Sequence, residues 1–215
     1  LERHVGLPMR LANDADCAVY GEMLAGAAEG CHDVVMLTLG TGVGGGVVSN
    51  GVLQQGGSAG GLELGHTLLA QNGEACTCGR KGCVEAYVSA SALIRQAELA
   101  AKRHPASMLA AASAENGMLT GEVFFDAVRS ACGAALEVLE QYLTDLGDAI
   151  INFINVWRPE AFLLGGGVAD AGDLLLKPLN AYVKPRCFAG ERGHVPTIVR
   201  ATLGNDAGLI GAAAL

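Results

Sequence analysis

The chain has 215 residues, of which 51% are hydrophobic, and this is enough apolar material for the packed core of a globular protein. Its 14 basic and 22 acidic residues give a net charge of -8 without any Lys/Arg-rich stripe, which argues against nucleic acid as a partner. The longest apolar run, residues 149–157, is too short for a membrane span, so we expect no membrane partner, and free cysteines suit the reducing cytoplasm.

A short strand is predicted at residues 10–12, and the first predicted helix is amphipathic and spans about residues 17–29. It is preceded by Asn13, Asp14 and Asp16, which are residue types that cap helices. A carboxylate at such a position can also act as a general base toward a substrate hydroxyl, and no basic residue adjoins Asp14 in the sequence. We therefore take Asp14 as the candidate catalytic base and leave the capping role to Asn13 or Asp16. The alternative is that Asp14 is itself an ordinary cap.

A glycine-rich turn follows the next element. Residues 33–39 predict a strand, the sequence LGTGVGGG at 39–46 leads into a second short strand, and the Asn50-Gly51 pair predicts a type I′ turn into a third strand at 52–54. The loop offers unhindered backbone N–H groups and one hydroxyl to an anion, so it predicts a phosphate site. Its members would be Gly40, Thr41, Gly42, Gly44 and Gly45. The alternative is a tight hairpin whose glycines serve only the geometry of the turn.

The spacing His-x9-Cys-x-Cys-x4-Cys indicates a metal site formed by His66, Cys76, Cys78 and Cys83. One imidazole nitrogen and three thiolates make a closed tetrahedral set for a structural Zn²⁺. The metal would hold this short, polar loop in shape and would pin Glu63 and Glu85 beside it as readers of substrate hydroxyls. The alternatives are disulfides or unrelated buried residues. The odd total of 7 cysteines and the closeness of Cys76 to Cys78 argue against a disulfide scaffold.

The remainder alternates between helix and strand and predicts the α/β class. Helices are expected at residues 89–103, 120–132, 133–157, 170–183 and 207–215, and strands at 160–164 and 197–201. Gly165, Gly166 and Gly167 follow the first of these strands, where ligands approach the edge of an α/β sheet. They are the second candidate nucleotide site, with close packing of a strand and a helix as the alternative.

Several motifs occur together in this order: NDAD at 13–16, LGTGVGGG at 39–46, ELGH at 63–66, CTCGRKGCVE at 76–85, GGGV at 165–168 and ATLGNDAGLIGAA at 201–213. This set resembles the ROK family of sugar kinases and repressors, and most closely its bacterial glucokinases. The resemblance implies the actin-like ATPase (ribonuclease H-like) fold. It also implies phosphorylation of a hexose, expected to be glucose, at the 6-hydroxyl by ATP with Mg²⁺.

By the same resemblance, Asp14 matches the catalytic base of the family, and Asn13, Glu63, His66 and Glu85 match its sugar-binding positions. His66 would then hold zinc through one ring nitrogen and contact the sugar through the other. A homodimer is also implied. The alternative within the family is a sugar-responsive transcriptional repressor, which would have no need of a phosphate-binding loop.

The Asp-x-Gly-Gly-Thr phosphate motif of the N-terminal lobe of the family is missing from the sequence. We therefore expect mainly a C-terminal lobe at residues 31–202, with the zinc loop at 66–83, and a remnant of an N-terminal lobe at 1–30 and 203–215. A chain without the phosphate-binding lobe is expected to be inactive on its own.

Overall fold

The computed structural model describes residues 2–9, 11–57, 60–188 and 190–215. The strands are β1 (Val34–Leu39), β2 (Val43–Ser49), β3 (Val52–Leu53), β4 (Ala161–Gly165) and β5 (Ile198–Arg200). The helices are α1 (Glu2–Val5), α2 (Asp14–Ala25), α3 (Glu85–Val88), α4 (Ala90–Arg103), α5 (Met108–Asn116), α6 (Gly121–Arg129), α7 (Gly133–Trp157), α8 (Asp173–Val183) and α9 (Asp206–Ala214). The strands form one sheet in the order β3-β2-β1-β4-β5.

The sheet is mixed because a hairpin precedes two crossover connections. β1 pairs antiparallel with β2 and parallel with β4, and β4 pairs parallel with β5. Asn50 (φ 51°) and Gly51 (φ 74°) both have positive φ, which the predicted type I′ turn between β2 and β3 requires. The predicted meander and the α/β class are therefore confirmed.

Helices cover both faces of this sheet. The larger core lies between one face and α3 to α8, where the buried hydroxyl of Tyr142 in α7 donates to the carbonyl of Val88 at 2.6 Å. The opposite face packs against α2 through a smaller cluster that includes Val19, Met36 and Leu163. This arrangement places the amino end of α2 at the edge where β1 and β4 end.

α9 lies directly against α2, backbone to backbone. A Cβ at Gly21 would overlap the carbonyl of Ala207, and a Cβ at Gly211 would overlap the carbonyl of Cys17. Glycine is required at both positions because only hydrogen leaves room for the neighbouring helix. α2 and α9 therefore form one closely packed layer.

Helices α2 and α8 begin at residues other than those predicted, and α5 was not predicted. α2 begins at Asp14 rather than near residue 17, because Asn13 provides the cap. α8 begins at Asp173 rather than at residue 170, because Gly172 (φ 59°) separates it from a 3-10 turn at Ala169–Ala171. α5 was not predicted, although Ser107 caps its start and Gly117, in the left-handed region, ends it. The division of the chain into two lobes stays a prediction.

Among the described residues, no helix combines the length and the apolar character that crossing a membrane would need.

Candidate functional site

Asp14 is the first residue of α2, and it is not the residue that caps this helix. The Oδ1 atom of Asn13 accepts hydrogen bonds from the backbone N–H groups of Ala15 (2.9 Å) and Asp16 (3.2 Å), so Asn13 is the cap. Asp14 is exposed, and its carboxylate accepts one hydrogen bond, from the N–H of Ala15 at 2.9 Å. Within the described residues it has no ion-pair partner, so it keeps most of its capacity to accept protons or hydrogen bonds.

A cavity of about 340 Å³ opens beside this carboxylate. One wall is the start of α2 with Asp14, and another comes from the segment that leads into α9, with Gly204 and Asn205. The end of β4 contributes Gly165, Gly166 and Gly167. The second predicted nucleotide motif and the predicted base therefore line the same cavity.

Of these three glycines, Gly166 has the clearest structural requirement. Its φ is +83°, and a Cβ there would lie 2.5 Å from the carbonyl oxygen of Leu39, so the ends of β1 and β4 approach too closely for a side chain. Gly167 has open space where a Cβ would be. The backbone at Gly167 is thus free to meet a ligand.

The first glycine-rich segment divides into a turn and a strand. Gly40, Thr41 and Gly42 form the turn, and a Cβ at Gly40 would have nothing within 4 Å. Gly44 and Gly45 lie within β2, where a Cβ would meet the Thr38 hydroxyl at 2.5 Å and Leu64 at 2.6 Å, respectively. Packing therefore explains the glycines at 44 and 45, whereas Gly40 and Thr41 face open space.

The four predicted metal ligands lie together. The nitrogen of His66 and the sulfurs of Cys76, Cys78 and Cys83 are all within 4.8 Å of one another. The Cys78 and Cys83 sulfurs are 3.7 Å apart, and His66 Nδ1 is 3.6 Å from the Cys76 sulfur. Zn–S and Zn–N bonds of about 2.3 and 2.0 Å at tetrahedral angles give separations of roughly 3.8 and 3.6 Å. The donor set therefore fits zinc.

The cysteines do not form disulfides, since all seven are free thiols. A hydrogen bond from the backbone N–H of Arg80 is the main cause that lowers the pKa of the Cys78 thiol, to about 7. Burial raises the pKa of the Cys76 thiol to about 11.

Gly82 (φ 80°) lies at the end of the metal loop, and a Cβ there would overlap the carbonyl of Ala70.

Glu85 joins the metal loop to the glycine turn. Its Oε1 accepts from the Thr77 hydroxyl (2.5 Å) and the Cys76 thiol (3.5 Å), and its Oε2 accepts from the N–H of Val43 (3.1 Å). Burial raises the pKa of Glu85, but these hydrogen bonds and the charge of His66 outweigh burial and leave the pKa below its usual value. Glu85 is thus an ionised, well-held carboxylate at neutral pH.

Glu63 precedes a 3-10 turn at Leu64–His66, and His66 is the last residue of that turn. Leu64 is buried against Gly45, and a Cβ at Gly65 would overlap the carbonyl of Val43, so the turn is pressed onto β2. Glu63 is exposed and His66 is half-buried. The two central residues of the ELGH motif therefore pack against β2, while Glu63 and His66 remain at least partly accessible to solvent.

Sequence reasoning missed three polar residues: Arg200, Asp170 and Glu22. Arg200, at the end of β5, lines the cavity and pairs with Asp170 (3.1 Å), which lies two residues after the GGGV motif. Glu22, in α2, is fully buried. Asp170 could have been suspected from its place after the glycines, but no local pattern marks Arg200 or Glu22.

A family model described as the ROK family matches residues 1–215. Glucokinase from Halalkalibacterium halodurans is 41% identical over 216 residues, covering 98% of this chain and 64% of that protein. Glucokinase from Streptomyces coelicolor is 35% identical over 218 residues, covering 100% of this chain and 69% of that protein.

Among solved structures, a ROK family glucokinase from Streptomyces griseus in complex with glucose and AMPPNP superposes with a TM-score of 0.89 at 34% identity. The match covers 99% of this chain and 69% of that one. This chain thus spans about two thirds of the length of these relatives. The full-length match to the family model and the structural similarity confirm the predicted family and its actin-like ATPase fold. The chain belongs to the ROK family.

Proposed function

We propose that the full protein containing these residues transfers the γ-phosphoryl group of ATP to the 6-hydroxyl of a hexose, with glucose as the leading substrate. The observation that carries the proposal is the exposed, unpaired carboxylate of Asp14 on the same cavity as Gly165 to Gly167. The similarity to glucokinases, one of them solved with glucose and AMPPNP, supports the same reaction.

In this mechanism Asp14 accepts the proton of the 6-hydroxyl while the hydroxyl oxygen bonds to the γ-phosphorus. The bond from that phosphorus to the bridging oxygen breaks, and ADP leaves with the electron pair. Little covalent chemistry is required of the protein, so positioning and charge neutralisation by the Mg²⁺ that accompanies ATP contribute most of the acceleration. The exposed backbone amide at Gly167 is a suitable donor to phosphate oxygens.

A second cavity supports nucleotide binding. It measures about 460 Å³, is lined by apolar groups of Leu93, Phe125 and Val168, and shares Gly167 and Asp170 with the cavity beside Asp14. A flat, mostly apolar base fits such a site, and the shared glycine would bring the phosphates toward Asp14. We place the adenine of ATP there.

We further propose a structural zinc held by His66, Cys76, Cys78 and Cys83. When bound, zinc would supply no chemistry to the reaction and would only fix the loop and the ring of His66. Because Nδ1 of His66 faces the sulfurs, Nε2 is left for a sugar hydroxyl. Glu63, Glu85 and Asn13 complete the proposed sugar-binding set.

Three further proposals follow the family resemblance: a homodimer, a cytoplasmic location, and a C-terminal lobe at residues 31–202 joined to parts of an N-terminal lobe at 1–30 and 203–215. Light scattering coupled to gel filtration measures the first of these directly.

The test is a coupled assay of ADP release on the full protein with a panel of glucose, mannose, fructose and N-acetylated hexoses. We expect turnover with glucose, and mass spectrometry should locate the phosphate on the 6-oxygen. Binding of glucose without turnover on any hexose would contradict the proposal and favour the repressor alternative.

A further inference from the structure

Glu22 is a charged residue deep in the protein with no solvent contact. It lies in α2, eight residues after Asp14, and is 0% exposed. Burying a carboxylate costs several kcal/mol unless hydrogen-bond donors replace water. Here the donors are the N–H of Ala27 (2.7 Å), the N–H of Leu203 (2.7 Å) and the hydroxyl of Thr202 (3.2 Å). The two side-chain oxygens of Glu22 are thus satisfied by three donors of the protein.

These hydrogen bonds join two parts of the chain that are 180 residues apart in sequence. Ala27 follows the carboxyl end of α2, whereas Thr202 and Leu203 lead from β5 into α9. Gly26 makes the arrangement possible, since a Cβ there would overlap Oε2 of Glu22. The carboxylate therefore connects α2 to the segment that precedes α9.

Both connected parts contribute lining residues to the cavity beside Asp14. Asp14, Ala15 and Ala18 of α2 line one wall, and Gly204 and Asn205 line the other. Leu203, which donates to Glu22, directly precedes Gly204. Along an α-helix, eight residues correspond to about 12 Å, so Glu22 holds the walls together at a distance from the reacting atoms.

We propose that Glu22 is a positioning residue that fixes the separation between Asp14 and the Gly204–Asn205 wall. It does not contact substrate and acts through α2 and the segment before α9. This inference rests on the proposed function, because the separation matters only if Asp14 must meet a substrate held in the cavity. Small errors in such a separation reduce the rate of the chemical step more than they reduce binding.

The test is Glu22→Gln in the full protein, with Glu29→Gln as the matched control. Glu29 is exposed and lies shortly after the end of α2. Glutamine replaces one carboxylate oxygen with an NH2 group, which cannot accept a hydrogen bond, so either Ala27 and Thr202 or Leu203 lose their acceptor. We expect kcat to fall about tenfold with KM for glucose and ATP changed less than about twofold. Hydrogen exchange at the Leu203 amide should accelerate in the same variant.

Thr202→Val is the milder variant in case Glu22→Gln does not fold. It removes only the 3.2 Å hydrogen bond and should lower kcat by about twofold to threefold. A folded Glu22→Gln protein with unchanged kcat, or with a change confined to KM, would overturn the inference. An inactive wild-type protein would instead refute the proposed function, so the two failures are distinguishable.

Discussion

The Asp14→Asn substitution tests the catalytic assignment with little disturbance of the fold. Asp14 is exposed, Asn13 provides the helix cap, and asparagine keeps an oxygen that can still accept from the N–H of Ala15. What is lost is the negative charge at the start of α2. That charge interacts with the helix dipole by at most about 1 kcal/mol, so the melting temperature should fall by no more than about 4 °C.

The effect on the reaction should be far larger. Removal of a general base typically costs 10²–10⁴ in rate, which corresponds to about 2.7–5.5 kcal/mol of transition-state stabilisation. An amide cannot accept the proton of the 6-hydroxyl at neutral pH. Glucose affinity should change only a few fold, because Asn13, Glu63, His66 and Glu85 are the proposed sugar contacts.

The assay is coupled ADP release for kcat, together with calorimetric titration of glucose. The matched control is Asp173→Asn, the same substitution at the first residue of α8, where the side chain is 73% exposed and pairs with Lys177. The control should lose a similar small amount of stability and keep its kcat. If Asp14→Asn turned over glucose at the wild-type rate, Asp14 would not be the base.

Three other predictions concern the metal, the buried charge and the helix contact. Cys78→Ser, at an exposed ligand, should abolish the one zinc per chain that elemental analysis would otherwise detect. Burial, together with the charge of Asp14, raises the pKa of Asp16. The two side-chain oxygens of Asp16 have no hydrogen-bond donor among the described residues. Ionisation of Asp16 in the folded protein therefore lowers stability as the pH rises. Asp16→Asn removes this charge, so the stability of the variant relative to the wild-type protein should be higher at neutral pH than at acidic pH in thermal unfolding. Gly211→Ala should destabilise by about 1–3 kcal/mol, because its Cβ would overlap the carbonyl of Cys17.

Each of these has a clear contrary result. Undiminished zinc in Cys78→Ser would remove that residue from the ligand set. A stability gain in Asp16→Asn that was the same at every pH would exclude a titrating charge as its cause. Gly208→Ala is the control for Gly211→Ala, since the same helix has open space there, and equal losses in both variants would contradict the packing argument.

Elements with local signals were predictable from the sequence. The spacing of apolar residues predicted α7 at residues 133–157, where it lies in the structure, and the Asn50-Gly51 pair specified its own turn. The Cys/His spacing predicted a set of side chains that do lie together. In each case the determining interactions are between residues close in the chain.

Features that depend on distant residues were not predictable. The sequence around Glu22 does not indicate that its carboxylate accepts hydrogen bonds from Thr202 and Leu203. The sequence around Asp16 does not indicate that this residue is fully buried. α5 was missed for another reason, because its nine residues show no strong separation of apolar and polar faces. Long-range contacts and short helices are where local patterns carry the least information.

The glycines of β2 affect how the ROK glycine signature can be used. Gly44 leaves space for Thr38 and Ala15, Gly45 for Leu64, and Gly46 for Val19. A protein that had lost phosphoryl transfer would still need small residues at these positions to keep its helix and its ELGH turn on the sheet. Retention of the motif is therefore a weak criterion for separating kinases from repressors. The open turn at Gly40 and Thr41, together with an aspartate at 14, is the better marker.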